Sequence, residues 1–127
     1  MINKIGKITI YVDDQEKAKE FWTKKMNFVV KLEQPMVPNM KWLEVGPSED
    51  EFTTFIIYEK KLMLSQNPKA NVAHPGIMLS TSNIEGTYSE MKANGVEVEE
   101  LMIMPYGMMF KFKDQDSNEY LVREDSY

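Results

Sequence analysis

Apolar residues alternate at the start of the chain. Ile5, Ile8, Ile10 and Val12 form a β-branched run ending at Asp13-Asp14, which predicts a strand over about 4–12 followed by a carboxylate that can cap a helix. From Asp14 to Asn27 the period changes. Ala18, Phe21, Trp22 and Met26 recur at three- and four-residue steps while Lys17, Lys19, Glu20, Lys24 and Lys25 fall on other faces, the pattern of an amphipathic helix. Phe28–Leu32 then reads as a strand, Pro35–Asn39 as a loop, Trp42–Val45 as a strand closed by Gly46-Pro47, and Phe52–Tyr58 as another. The order is β-α-β-β-β.

Residues 59–74 mix Lys, Ser, Gln and Asn with one Pro and read as a linker, with a short extended piece at Lys61–Leu64. The same order then begins again. Gly76–Thr81 is a strand, Ser82 or Asn83 a cap, and Ile84, Tyr88 and Met91 the stripe of a helix stopped by Asn94-Gly95. Val96–Met104, Tyr106–Lys113 and Glu119–Arg123 are three more strands, with Asp114–Asn118 as the last turn. Matching landmarks lie about 69, 68 and 67 residues apart (Asp13 with Ser82, Asn27 with Gly95, Val45 with Phe112), as expected of a repeat. The expected organisation is one α+β domain of two βαβββ modules, 1–60 and 75–127, joined by a linker at 61–74.

Composition narrows the function. A chain of 127 residues with 43% hydrophobic and 28% charged positions can bury a core without staples. Fifteen Lys and Arg against twenty Asp and Glu leave a net charge of −5, which disfavours the phosphate backbone and makes nucleic acid a poor partner. The absence of cysteine excludes disulfides, thiolate metal sites and cysteine nucleophiles. No signal peptide is legible, and the longest uncharged apolar stretch, Leu101–Phe110, is too short to span a membrane, so the expected location is the cytoplasm.

Several stretches in order carry a family resemblance. They are Tyr11-Val12-Asp13-Asp14 with Ala18-Lys19-Glu20-Phe21-Trp22, then Lys25-Met26-Asn27-Phe28. In the second half they are Ile84–Tyr88, Met91–Val96, and the turn Phe112-Lys113-Asp114-Gln115-Asp116-Ser117-Asn118-Glu119. Together they resemble the vicinal oxygen chelate superfamily, also called the glyoxalase/bleomycin-resistance/dioxygenase family. The resemblance implies paired βαβββ modules whose strands form a curved mixed sheet around a shared cavity, commonly in a homodimer.

Metalloenzymes of that family use His and Glu ligands to hold a divalent cation that polarises substrate oxygens. The positions that the resemblance aligns with those ligands hold Lys7, Phe55, Gly76 and Leu121, so no metal and no other cofactor is expected. His74, the single histidine, lies two residues before one of these positions, and a slip could bring it closer. Otherwise it is a loop residue.

Alternation places Lys7 with Thr9 and Tyr11, and Ile8, Ile10 and Val12 toward the helix. The same parity is expected to turn Phe55, Gly76 and Leu121 inward, Leu121 together with Glu119 and Arg123. Met36, Met40, Met102, Met104, Met108 and Met109 cluster near Trp42, Tyr106 and Phe110, and such polarizable side chains suit an adaptable pocket as well as ordinary core. The expected ligand site therefore comprises Trp42, Tyr106, Phe55, Phe110 and Met108 as apolar and stacking surface, Lys7 and Arg123 as polar anchors, and Glu44 and Glu119 favouring a positive ligand. Three functions remain open: a metal-free small-molecule binder resembling the bleomycin-resistance branch and sequestering a flat or cationic drug, a glyoxalase-like lyase or dioxygenase with an altered metal site, and a structural or regulatory dimer.

Overall fold

A computed structural model describes all residues except 37, 38, 126 and 127. The chain is a mixed α+β fold with two mixed sheets. It divides into two compact units, Met1–His74 and Pro75–Tyr127.

In the first unit, β1 (Lys7–Val12) leads into α1 (Gln15–Glu20), whose first turn is capped by the Asp14 carboxylate. That carboxylate accepts from the amides of Glu16 at 2.9 Å and Lys17 at 3.1 Å. The helix widens into a π-helical turn at Phe21–Lys25, closed by the Met26 amide on the Phe21 carbonyl. Asn27 takes the left-handed conformation, φ 58°, and the Phe28 amide reaches back to the Trp22 carbonyl at 2.9 Å, so the chain leaves the helix directly into β2 (Val29–Met36). β3 (Met40–Gly46) and β4 (Thr54–Glu59) follow. The part of the expected loop at residues 37 and 38 lies outside the described residues. β1 runs parallel to β4 and the other neighbours are antiparallel, giving the order β1-β4-β3-β2.

One face of this sheet is closed by the helix. Ile10, Val12, Leu43, Val45, Phe55 and Ile57 are buried there with Ala18, Phe21 and Trp22. Trp22 is fully enclosed, its ring 4.9 Å from Phe28 and 5.2 Å from both Phe21 and Phe55. Each large side chain buried in this way supplies about 1.5–3 kcal/mol.

The segment after β4 differs from the expected extended piece. Lys60–Gln66 is a helix, α2, because Lys-Lys-Leu-Met-Leu contains good helix formers and no β-branched residue.

The second unit repeats the plan. β5 (Met78–Thr81) is followed by α3 (Ile84–Ala93), capped by Asn83, whose side chain accepts from the Gly86 amide at 3.0 Å, and stopped at Asn94-Gly95 with Gly95 at φ 86°. The single strand expected over 96–104 is broken into β6 (Glu97–Val98) and β7 (Met102–Met104), both paired with β8 (Gly107–Lys113). Val98 faces Phe112 but Met102 faces Met109, so one extra residue bulges from the edge strand between them. β9 (Glu119–Glu124) runs between β8 and the parallel β5, giving the order β5-β9-β8-β6. Each module thus places its first and last strands side by side and parallel.

The turn before β9 is organised by Asp114. Its carboxylate accepts from the amides of Asp116 and Asn118, the Asn118 side chain and the Tyr120 hydroxyl, at 2.7–3.1 Å. Ser117 occupies the left-handed region at φ 63°. Among the described residues no helix is long and apolar enough to cross a membrane.

Candidate functional site

The sheet face of the first module that points away from α1 carries a polar and aromatic cluster. β1 and β4 are in register at Lys7 with Thr54, Thr9 with Ile56, and Tyr11 with Tyr58, and β3 adds Glu44 beside Ile56. Trp42 lies two residues before Glu44 and therefore on the same face.

Glu44 is the centre of this cluster and is 4% exposed. One carboxylate oxygen accepts from the Lys7 ammonium at 2.7 Å and from the Thr54 hydroxyl at 2.9 Å. The other accepts from the Trp42 indole N–H at 2.8 Å. Burial pushes the Glu44 carboxyl up, but the hydrogen bonds from Lys7, Trp42 and Thr54 and the charge of Lys7 outweigh it, holding the group below the usual carboxylate range. The Lys7 side chain is 50% exposed and that of Glu44 5%, so the lysine is the open member of the pair.

Half-buried Trp42 extends this cluster into an aromatic wall. Its ring meets Tyr58 edge to face at 6.4 Å, and Tyr58 meets Tyr11 in the same way at 6.2 Å. The Tyr58 hydroxyl donates to the Gln66 side chain of α2 and lies 3.9 Å from the Met40 sulfur. Beside Tyr58 opens a hollow of about 510 Å³, whose lining includes Met36, Met40, Lys41, Glu59 and Leu62. Lys41 is ion-paired with Glu16 and Glu33, so its charge is already answered.

This face brings Lys7, Trp42 and Glu44 together, and it corrects the place of Phe55. Phe55 lies on the opposite side of β4, against Trp22 and Phe28, and is core. The segment Thr53–Tyr58 carries large side chains at both parities, so alternation alone does not say which set faces the helix; the inward set is Thr54, Ile56 and Tyr58. Glu44 is likewise not open to a positive ligand, because Lys7 neutralises it.

In the second module, Phe110 is a further correction. It is fully buried and meets Tyr88 of α3 edge to face at 5.1 Å. Met108 falls on the same side of β8 by alternation. Leu121 pairs with Met78 and Lys111, and Arg123 with Ser80 and Met109, so Arg123, Leu121 and Glu119 share the face away from α3. Glu119 lies 3.9 Å from the Lys111 ammonium. Arg123 pairs with Asp125 at 3.3 Å and holds its guanidinium 5.8 Å from the ring of Tyr106, which is 57% exposed in the β7–β8 turn. When the central strands β4 and β9 are matched at Ile56 and Leu121, Lys111 occupies the place of Glu44 and Met109 that of Trp42, so Tyr106 is not the counterpart of Trp42.

The residues do not fit a divalent cation. Among the described residues no three His, Asp or Glu side chains converge as a ligand set. On the cluster face an ammonium already occupies the buried carboxylate, and His74 lies in the coil before β5.

A carboxyl with a lowered folded-state pKa adds stability that is present above its unfolded value, ordinarily 4.5, and is lost as pH falls through the folded value. Wild type is therefore expected to lose more stability than Glu44→Gln between about pH 7 and pH 3. Urea titrations of both proteins across that range check this, and parallel curves would remove Glu44 as an ionised strut.

The comparisons with known proteins agree with the fold. Residues 4–122 match the family model of the Glyoxalase/Bleomycin resistance protein/Dioxygenase superfamily. The chain is 43% identical over 126 residues to the uncharacterized protein YetH of Bacillus subtilis (strain 168), covering 98% of this chain and 100% of that one. Among solved structures it is similar to TnmS3, an antibiotic binding protein from Streptomyces sp. CB03234, with 25% identity, a TM-score of 0.80 and 98% of each chain covered. It is also similar to a superfamily member from Sphaerobacter thermophilus DSM 20745, with 26% identity, a TM-score of 0.81 and 98% of each chain covered.

Proposed function

The chain belongs to the glyoxalase/bleomycin resistance/dioxygenase superfamily, and from that premise we propose that it is a metal-free small-molecule binding protein that sequesters a planar aromatic drug. The observation that carries this reading is half-buried Trp42 meeting Tyr58 edge to face, where buried Tyr58 in turn lines the hollow at Met36, Met40 and Leu62. Rigid π faces next to adaptable methionines suit stacking of a flat ligand. The similarity to an antibiotic binding protein supports the same class of ligand.

A binder of this kind stabilises its native state in proportion to occupancy. Titration of the purified protein with a panel of planar aromatic antibiotics is expected to give a saturable rise in melting temperature for at least one compound. A flat response across the panel would contradict the proposal.

We further propose that the protein acts in the cytoplasm as a homodimer, with both modules serving one function. The acidic, cysteine-free composition supports that location. The dimer rests on family resemblance, and a concentration-independent monomer mass in light scattering would refute it.

A further inference from the structure

The hydrogen bonding of Glu44 says more about the ligand than aromatic lining alone. One buried carboxylate holds two groups of the proposed site: Trp42 through its indole N–H at 2.8 Å and Lys7 through its ammonium at 2.7 Å. The two donors sit on the two oxygens of one carboxylate, so the ammonium and the indole N–H are placed by the same side chain. The Lys7 side chain is 50% exposed while Glu44 is enclosed. An ammonium has three donors, and the carboxylate takes one of them here. A molecule lying against Trp42 therefore meets the lysine side of a neutral pair, with the carboxylate enclosed behind it.

We infer that the ligand is a planar aromatic molecule with an oxygen acceptor on its edge, a carboxylate, phenolate or ring carbonyl, whose ring stacks on Trp42 and whose oxygen accepts from Lys7. This rests on the small-molecule reading above and specifies the ligand class for the same surface. Glu44 is the positioning residue. It orients the indole and the ammonium together, and its own charge is used in doing so. A cationic ligand would meet Lys7 as a like charge, at an energetic cost inside a half-buried site.

Two probes of the same shape separate these cases. Naphthalene-2-carboxylate and 2-(aminomethyl)naphthalene carry opposite charges on one ring system near neutral pH, and both are titrated into the full chain by calorimetry. The carboxylate is expected to bind at least about tenfold more tightly. Lys7→Met keeps the apolar stem and leaves Glu44 without its counter-charge, so it should reverse the order of the two probes. Lys7→Arg keeps a donor and should restore the preference for the carboxylate. It also guards against a fold defect in the methionine variant, whose folded state is checked by circular dichroism.

Tighter or equal binding of the amine by wild type would overturn the inference while leaving the binding reading intact. Binding of neither probe would overturn the inference, and the binding reading would then be decided by the antibiotic panel. An unchanged preference in Lys7→Met would remove Lys7 from the site and overturn the inference.

Discussion

Trp22→Ala is expected to destabilise the protein by about 3–5 kcal/mol, the cost of emptying a fully buried aromatic position. Trp22 is the hub of the first module's core, within about 5 Å of the rings of Phe21, Phe28 and Phe55. Those rings come from a helix, a strand start and a central strand, so no single side chain can collapse into the space. Against a total stability of about 5–15 kcal/mol, a loss of this size lowers the melting temperature on the order of 10–20 °C. Thermal unfolding followed by far-ultraviolet circular dichroism measures it. A fall of less than about 3 °C would mean that Trp22 is not the core position described here.

Asp114→Ala is the corresponding test in the second module, with an expected loss of about 3 kcal/mol or more. The alanine removes one acceptor group from four donors, two of them backbone amides that shape the turn before β9. Tyr120 is itself buried and stacks on Phe112 at 4.9 Å, so its hydroxyl cannot turn to water without disturbing the core. Burial, and then the charge of Asp114, push the Tyr120 phenol up, which keeps it protonated as a donor. Tyr120→Phe removes donor and oxygen together and should cost less than Asp114→Ala, because the carboxylate keeps its other three partners. Denaturant titration of both variants decides this, and a cost below about 0.5 kcal/mol for Asp114→Ala would deny the carboxylate its organising role.

Both tests address features that local pattern made readable. The three- and four-residue spacing of Ala18, Phe21, Trp22 and Met26 marks the buried side of the first helix, and the Asp114–Asn118 stretch marks a turn between strands. The spacing of about 69, 68 and 67 residues between matching landmarks marks the repeated order that the two sheets share. Family resemblance adds the superfamily, since the motifs span most of the chain.

The site was less legible because its partners are distant in sequence. Glu44 stands between Leu43 and Val45 and looks like a solvent-facing strand position, yet its donors come from Lys7, 37 residues away, and Thr54, 10 residues away. Nothing local signals such a convergence. Thr54–Tyr58 is buried at both parities, because the strand is central and covered on both sides, so Phe55 and its neighbours could not be assigned to a face by alternation. Alternation does not assign Phe110 to a face for the same reason: aromatic and Met residues at 108–110 fill both parities of β8. The edge bulge between β6 and β7 shifts register by one residue, a change set by pairing with β8 rather than by composition. The ring contacts of Trp42 with Tyr58 and of Tyr58 with Tyr11 are not legible in the sequence, because they depend on three strands lying side by side.

If Trp42 is a ligand-stacking surface rather than packing, one variant measured in two ways shows it. Trp42→Ala is titrated with the planar antibiotic that most raises the wild-type melting temperature, and its stability is measured in the same buffer. The expected result is a stability loss well under the about 3–5 kcal/mol of a buried aromatic, together with at least about a tenfold loss of affinity. A large loss of stability with affinity unchanged would contradict it.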